Sequence, residues 1–163
     1  MERAAVRRVR AALEHHSVAS NITVLSDSTR TALDAARALK VEVGQIAASL
    51  VFRLPDDAPL LVITSGRHRV DVGLLAEALD VSHLSRADAD FVKTCSGFSI
   101  GGVSPVGWEQ NEDPIVPMAG IDVALAAYDV IWAAAGHPHA VFATTFGELA
   151  RASGARTLRV AND

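Results

Sequence analysis

SLVFRLPDDAPLLVIT (residues 49–64) decides the fold class. Residues 49–54 and 60–64 are short apolar runs rich in Val, Leu, Ile and Phe. Between them stands Pro55-Asp56-Asp57-Ala58-Pro59, with two prolines and two aspartates. Short apolar runs bounded by turn chemistry predict two antiparallel strands. Further strands are expected at 129–134, 140–143 and 157–160, with a His137–Pro138 turn between the first two. Helical patterns lie between and around them. Val6, Val9 and Leu13 make one stripe near the start. Helices are predicted over 28–39, where Thr31 and Asp34 have capping-box spacing, from Asp71 to Leu79, and over 86–94 behind Ser85 and Asp88. A last helix opens on Thr145-x-x-Glu148 and ends at Gly154. Helices interrupt strands that pair mostly by hairpins. This predicts α+β architecture: a mixed, curved, partly barrel-like sheet surrounded by short helices.

The 163 residues fit one domain spanning 1–163, with residues 1–24 as a helical extension packed on or beside it. Half the residues are hydrophobic, yet no run approaches the roughly 18–20 apolar residues of a membrane helix. The start carries no signal-peptide core, so a cytoplasmic location is expected, with no membrane partner. The single cysteine, Cys95, excludes an internal disulfide. A net charge of −4 argues against a dedicated DNA or RNA binder but leaves room for brief contact with RNA through a local patch. Two patches qualify: Arg3, Arg7, Arg8 and Arg10, and Arg67, His68 and Arg69. The plain reading of each is a solvated helix face and a charged turn.

Cys95 has no local base or signature of a nucleophile. His15–His16 and His137–Pro138–His139 lack a matching ligand set at metal spacing, so no metal or other cofactor is expected. CSGFSIGGVSPVGW (residues 95–108) is more informative. Its glycines bring backbone N–H groups close to a ligand, and such a loop can present them to a carbonyl, a phosphate or a developing oxyanion. It is neither a P-loop nor a dinucleotide fingerprint. A tight turn or β-bulge is the alternative, and glycine content does not separate the two.

Five pieces in order carry a resemblance: TALDAARALKVEVGQIAASLVF (31–52), LLVITSGRHRVD (60–71), GGVSPVG (101–107), IDVALAAYDVIWAAAGHPHAVF (121–142) and LARASGARTLRV (149–160). The chain resembles the YbaK/prolyl-tRNA synthetase insertion-domain family of aminoacyl-tRNA deacylases. The resemblance implies hydrolysis, in trans, of the ester linking an incorrect amino acid to the terminal adenosine of a tRNA. It implies no metal and no covalent nucleophile, and a ribose hydroxyl or positioned water takes part. The partners it implies are aminoacyl-tRNA, bound transiently, and an aminoacyl-tRNA synthetase. The G-x-x-x-P loop falls on Gly101, Gly102, Ser104 and Pro105, which become the candidate catalytic residues. Ala48, Ser49, Ala134 and Asp122 become candidate substrate-binding residues. For Asp122 the competing reading is a helix cap for Val123–Ala127.

The chain departs from the family at GQIAASLVF (44–52), where Ala48 stands at the position of a pocket lysine. Arg53, at an odd offset along a strand, should face away from Ala48. Either the pocket works without that lysine, or the chain is a catalytically silent homologue that binds a tRNA 3′ end, a nucleotide or a synthetase. A hydrolase for another activated acyl ester is a third option. A basic cleft rim from Arg37, Arg67, Arg69 or Lys93 would favour tRNA. Residues 133–136, small and apolar, would line a pocket for a small side chain.

Overall fold

Residues 46–65 form the expected hairpin in the computed structural model, which describes residues 3–162; Met1, Glu2 and Asp163, at the ends of the expected domain, lie outside the described residues. The strands are β1 (Ile22–Val24), β2 (Ile46–Arg53), β3 (Pro59–Ser65), β4 (Ser85–Arg86), β5 (Glu109–Gln110), β6 (Asp113–Pro114), β7 (Met118–Asp122), β8 (Ile131–His137), β9 (Ala140–Thr144) and β10 (Arg156–Leu158). The helices are α1 (Ala4–His15), α2 (Ala32–Leu39), α3 (Val72–Ala78), α4 (Ala89–Ser96) and α5 (Phe146–Ser153). The main sheet has the order β1-β9-β8-β2-β3-β7-β10, with β4 added to β2. It is mixed, curved and open, so it does not close into a barrel.

β2 pairs antiparallel with β3 from Ala47↔Ser65 to Arg53↔Pro59. Hairpins do not dominate the rest. β2 with β8, β3 with β7 and β7 with β10 are parallel, and parallel neighbours require long connections. The sequence reading also missed β7, a short strand fully framed by its neighbours.

Local caps set the helix starts. Thr31 is extended, its side chain accepts the Asp34 N–H, and the Asp34 carboxylate accepts the Thr31 and Arg30 N–H groups. α2 therefore begins at Ala32 rather than at 28. Ser85 and Arg86 are drawn into pairing with Arg53 and Phe52. The cap of α4 is consequently Asp88, which accepts the Phe91 N–H at 2.9 Å. Asp71 and Thr145 cap α3 and α5, and Gly154 ends α5, as their spacing predicts.

The main core holds Val6, Val9 and Leu13 of α1 together with Leu61, Ile63, Phe98, Trp108, Ile131 and Phe142. α1 is thus packed into the sheet's own core. Its arginines are not simply solvated. Arg8 Nε donates to Gly107 O at 3.1 Å and Nη2 to Gly97 O at 3.2 Å. Its guanidinium also lies 4.6 Å from the centre of the Phe98 ring. One side chain of α1 thereby fastens both ends of the glycine-rich loop. No helix among the described residues is long and apolar enough to cross a membrane.

Candidate active site

The sheet contains a gap, and the candidate site lies in it. The parallel ladder between β2 and β8 covers Ile46↔Trp132 and Ala47↔Ala133 and stops. The ladder from the same edge of β2 to β4 starts at Phe52. Between them the strand edge is open. Ile46 C=O accepts Gly66 N–H on the β3 side, whereas Val51 C=O accepts Ala87 N–H on the other. Alternation along the strand therefore turns the backbone groups of Ser49 to the open edge. The Ser49 hydroxyl is buried with no hydrogen-bond partner among the described residues. An unsatisfied buried hydroxyl is costly, and a ligand in the gap would satisfy it.

A cleft of about 260 Å³ occupies this gap. Its floor is Ala47, Ala48 and Ser49, and its far wall is Trp132, Ala133 and Ala134. The glycine-rich loop closes it through Ile100, Gly101 and Val103. Gly101 has φ +90°, a backbone conformation that side chains other than glycine's rarely adopt. Gly102 is held differently: its N–H donates to Ser99 O at 3.0 Å, and a Cβ there would press on His137 and Pro138 at 3.1 Å. The N–H groups of Gly101 and Val103 donate to nothing among the described residues. Both residues line the cleft.

Of the residues singled out in the sequence, Gly101, Ala48, Ser49 and Ala134 meet at this cleft. Gly102 supports the loop from behind. Ser104 is fully buried, its hydroxyl accepting Val106 N–H and its carbonyl accepting Trp108 Nε1 at 2.7 Å. Pro105 borders a separate apolar groove of about 540 Å³ between α1 and residues 105–117. Ser104 and Pro105 therefore shape the loop and do not face the cleft.

Asp122 lies outside the cleft as well. It is fully buried and caps Val123–Ala127 through Ala124 N–H at 2.9 Å. It also accepts Ser65 N–H at 3.0 Å and meets His68 Nδ1 at 2.7 Å. Its oxygens are engaged inside the fold, in the helix cap that was the competing reading of this residue. The same contact takes His68 out of the expected charged turn.

Arg37, Arg67, Arg69 and Lys93 do not line the cleft; Arg30 and Arg86 do. Arg53 pairs with Asp57 at 3.3 Å and stacks on Phe91, away from the cleft. Arg30 was legible only as the residue before the Thr31 cap, a position that carries no functional signal of its own. Cys95 is buried, its Sγ 3.6 Å from Val92 O, and burial raises its pKa. The lining contains no Asp, Glu, His, Cys or Lys. Among the described residues no group of three or more His, Cys, Asp or Glu is placed to hold a metal ion.

The fold and the cleft define an α+β domain whose site is lined by the hydroxyl residues Thr29, Thr31 and Ser49, by Arg30 and Arg86 and by the glycine-rich loop, with no carboxylate, imidazole or thiol in its lining. The family profile of the aminoacyl-tRNA editing domain matches residues 26–162. A crystal structure described as a candidate trans-editing enzyme for prolyl-tRNA synthetase is 35% identical, with TM-score 0.90, and the match covers 100% of both chains. A scaffold protein used for computational grafting of linear epitopes is also 35% identical, at TM-score 0.89 over 99% of this chain and 100% of that one. A hypothetical protein at 22% identity shares the fold, with TM-score 0.83 over 95% and 99% of the two chains. No curated protein matches the chain. The chain belongs to the aminoacyl-tRNA editing domain family.

Proposed function

We infer that this chain is a trans-editing deacylase, which hydrolyses the ester of a mischarged aminoacyl-tRNA in a prolyl-tRNA synthetase context. The carrying observation is the cleft in the β2–β8 gap, with Gly101 and Val103, whose N–H groups have no acceptor among the described residues, on one wall and Ser49, whose hydroxyl has no partner among them, on its floor. Ester hydrolysis builds negative charge on the carbonyl oxygen, and fixed amide donors stabilise that charge in a site shielded from water. Water adds to the carbonyl carbon, the bond to the ribose oxygen breaks, and the proton ends on that oxygen. An aminoacyl ester is already activated, so a strong nucleophile is not required. Ser49, with its unpartnered hydroxyl, would hold the ribose or the ester. Ala47, Ala48, Ala133 and Ala134 leave space for a small amino-acid side chain, though apolar walls discriminate one methylene by only about 1–3 kcal/mol.

Ala48 supports a second reading, a silent homologue that retains ligand binding, because the cleft floor carries no cation. One assay separates the two: deacylation of Ala-, Cys-, Ser- and Thr-charged tRNAs by wild type, Gly101→Ala and Ala48→Lys. Turnover by wild type that Gly101→Ala abolishes is the expected result. Turnover only by Ala48→Lys would mean a silenced site, and turnover by none would overturn the deacylase reading.

A further inference from the structure

We propose that Arg30 and Arg86 form a two-pronged clamp for the phosphodiester backbone of the nucleic-acid end whose ester enters the cleft. The proposal rests on the editing reading and supplies the cation that Ala48 does not. Arg30 precedes the Thr31 cap of α2 and Arg86 lies on β4, so the two cations come from separate parts of the chain and both line this cleft. Both side chains are exposed.

Several arginines away from the cleft are engaged. Arg8 is held by Gly97, Gly107 and Glu109, Arg53 by Asp57, and Arg151 by His16 O. Neither Arg30 nor Arg86 has an ion pair or a guanidinium hydrogen bond among the described residues. Arg86 stands 5.7 Å from the centre of the Phe52 ring, a contact that orients it without neutralising it. Asp34 is the acid bonded at Arg30, and one oxygen of its carboxylate is turned to the backbone N–H groups of Arg30 and Thr31 at the helix start. The cleft lining thus carries two cations and no carboxylate, in a chain whose net charge is −4. Local concentration of positive charge against an acidic background is the arrangement that selects an anionic strand at one place only. Arginine, with its planar fork, suits phosphate oxygens.

The test compares Arg30→Gln, Arg86→Gln and the double variant with wild type at several KCl concentrations. Two substrates are used: an aminoacyl-tRNA, and a 3′-O-aminoacyl-adenosine that has no phosphate. The clamp predicts that each substitution lowers the ratio of kcat/KM for the tRNA to that for the adenosine ester by about five- to tenfold. It should act mainly through KM and reduce the slope of log(kcat/KM) against log[KCl] by about 0.7. Arg30→Lys and Arg86→Lys, which keep the charge, should retain most of the slope. An unchanged ratio and slope in the double variant would overturn the clamp. If wild type hydrolyses neither ester, the editing reading has failed. The clamp is then judged on fluorescence anisotropy of a labelled oligonucleotide ending in CCA: a salt slope lower by about 1.4 in the double variant supports it, and an equal slope overturns it.

Discussion

Replacing Gly101 by alanine should separate loop geometry from loop packing. An added Cβ would meet nothing within 4 Å, so no steric clash is introduced. The cost is the backbone: φ is +90°, and holding a residue with a side chain there costs on the order of 1–3 kcal/mol. Nothing nearby resists relaxation, because the Gly101 N–H donates to no group among the described residues. Gly102, by contrast, is pinned to Ser99 and wedged against His137 and Pro138. Relaxation should therefore turn the peptide at Gly101 while the rest of the loop stays. The melting temperature should fall by about 2–12 °C, at roughly 2–4 °C per kcal/mol for a chain of this size, and by less where the peptide relaxes. The rate should fall by about 10²–10³, the usual effect of losing one oxyanion donor. Single-turnover deacylation beside a thermal melt reads both quantities. Gly147→Ala is the control. It lies in α5 with open space around it, and alanine there should stabilise by about 0.5–1 kcal/mol. A Gly101→Ala protein that deacylates within threefold of wild type would refute the role assigned to these amides.

Three further outcomes are expected. Arg8→Ala removes the bonds to Gly97 and Gly107 and the contact with Phe98. It should cost about 2 kcal/mol, a drop of roughly 4–8 °C in a thermal melt, and slow deacylation through the loop; unchanged turnover would separate α1 from the site. Asp122→Ala leaves the buried Ser65 N–H without its acceptor and His68 without its carboxylate. A loss of about 3–5 kcal/mol in urea unfolding is expected, whereas a raised KM at full stability would restore Asp122 to the substrate site. The Cys95 thiol, its pKa raised by burial, carries less thiolate at any pH below its own pKa than an ordinary thiol. Alkylation by iodoacetamide should run slower than in urea, reach the rate of an ordinary thiol only at higher pH, and leave turnover intact.

What the sequence by itself determined lies within a few residues of itself. Proline and aspartate between apolar runs set the β2–β3 hairpin. Thr31, Asp71 and Thr145 capped helices because their side chains bond N–H groups three residues on. The glycine-rich loop and the family resemblance were legible in the same way, as local chemistry in a fixed order. Tertiary structure decided the rest, for a physical reason: these contacts join residues far apart in the chain, and no local preference encodes them. His68 reaches Asp122 across 54 positions, Arg8 reaches Gly107 across 99, and the parallel pairing of β2 with β8 stops where packing separates the strands. That gap makes the cleft. It put Ser49, Gly101, Arg30 and Arg86 on one cleft and left Asp122, Ser104 and Pro105 outside.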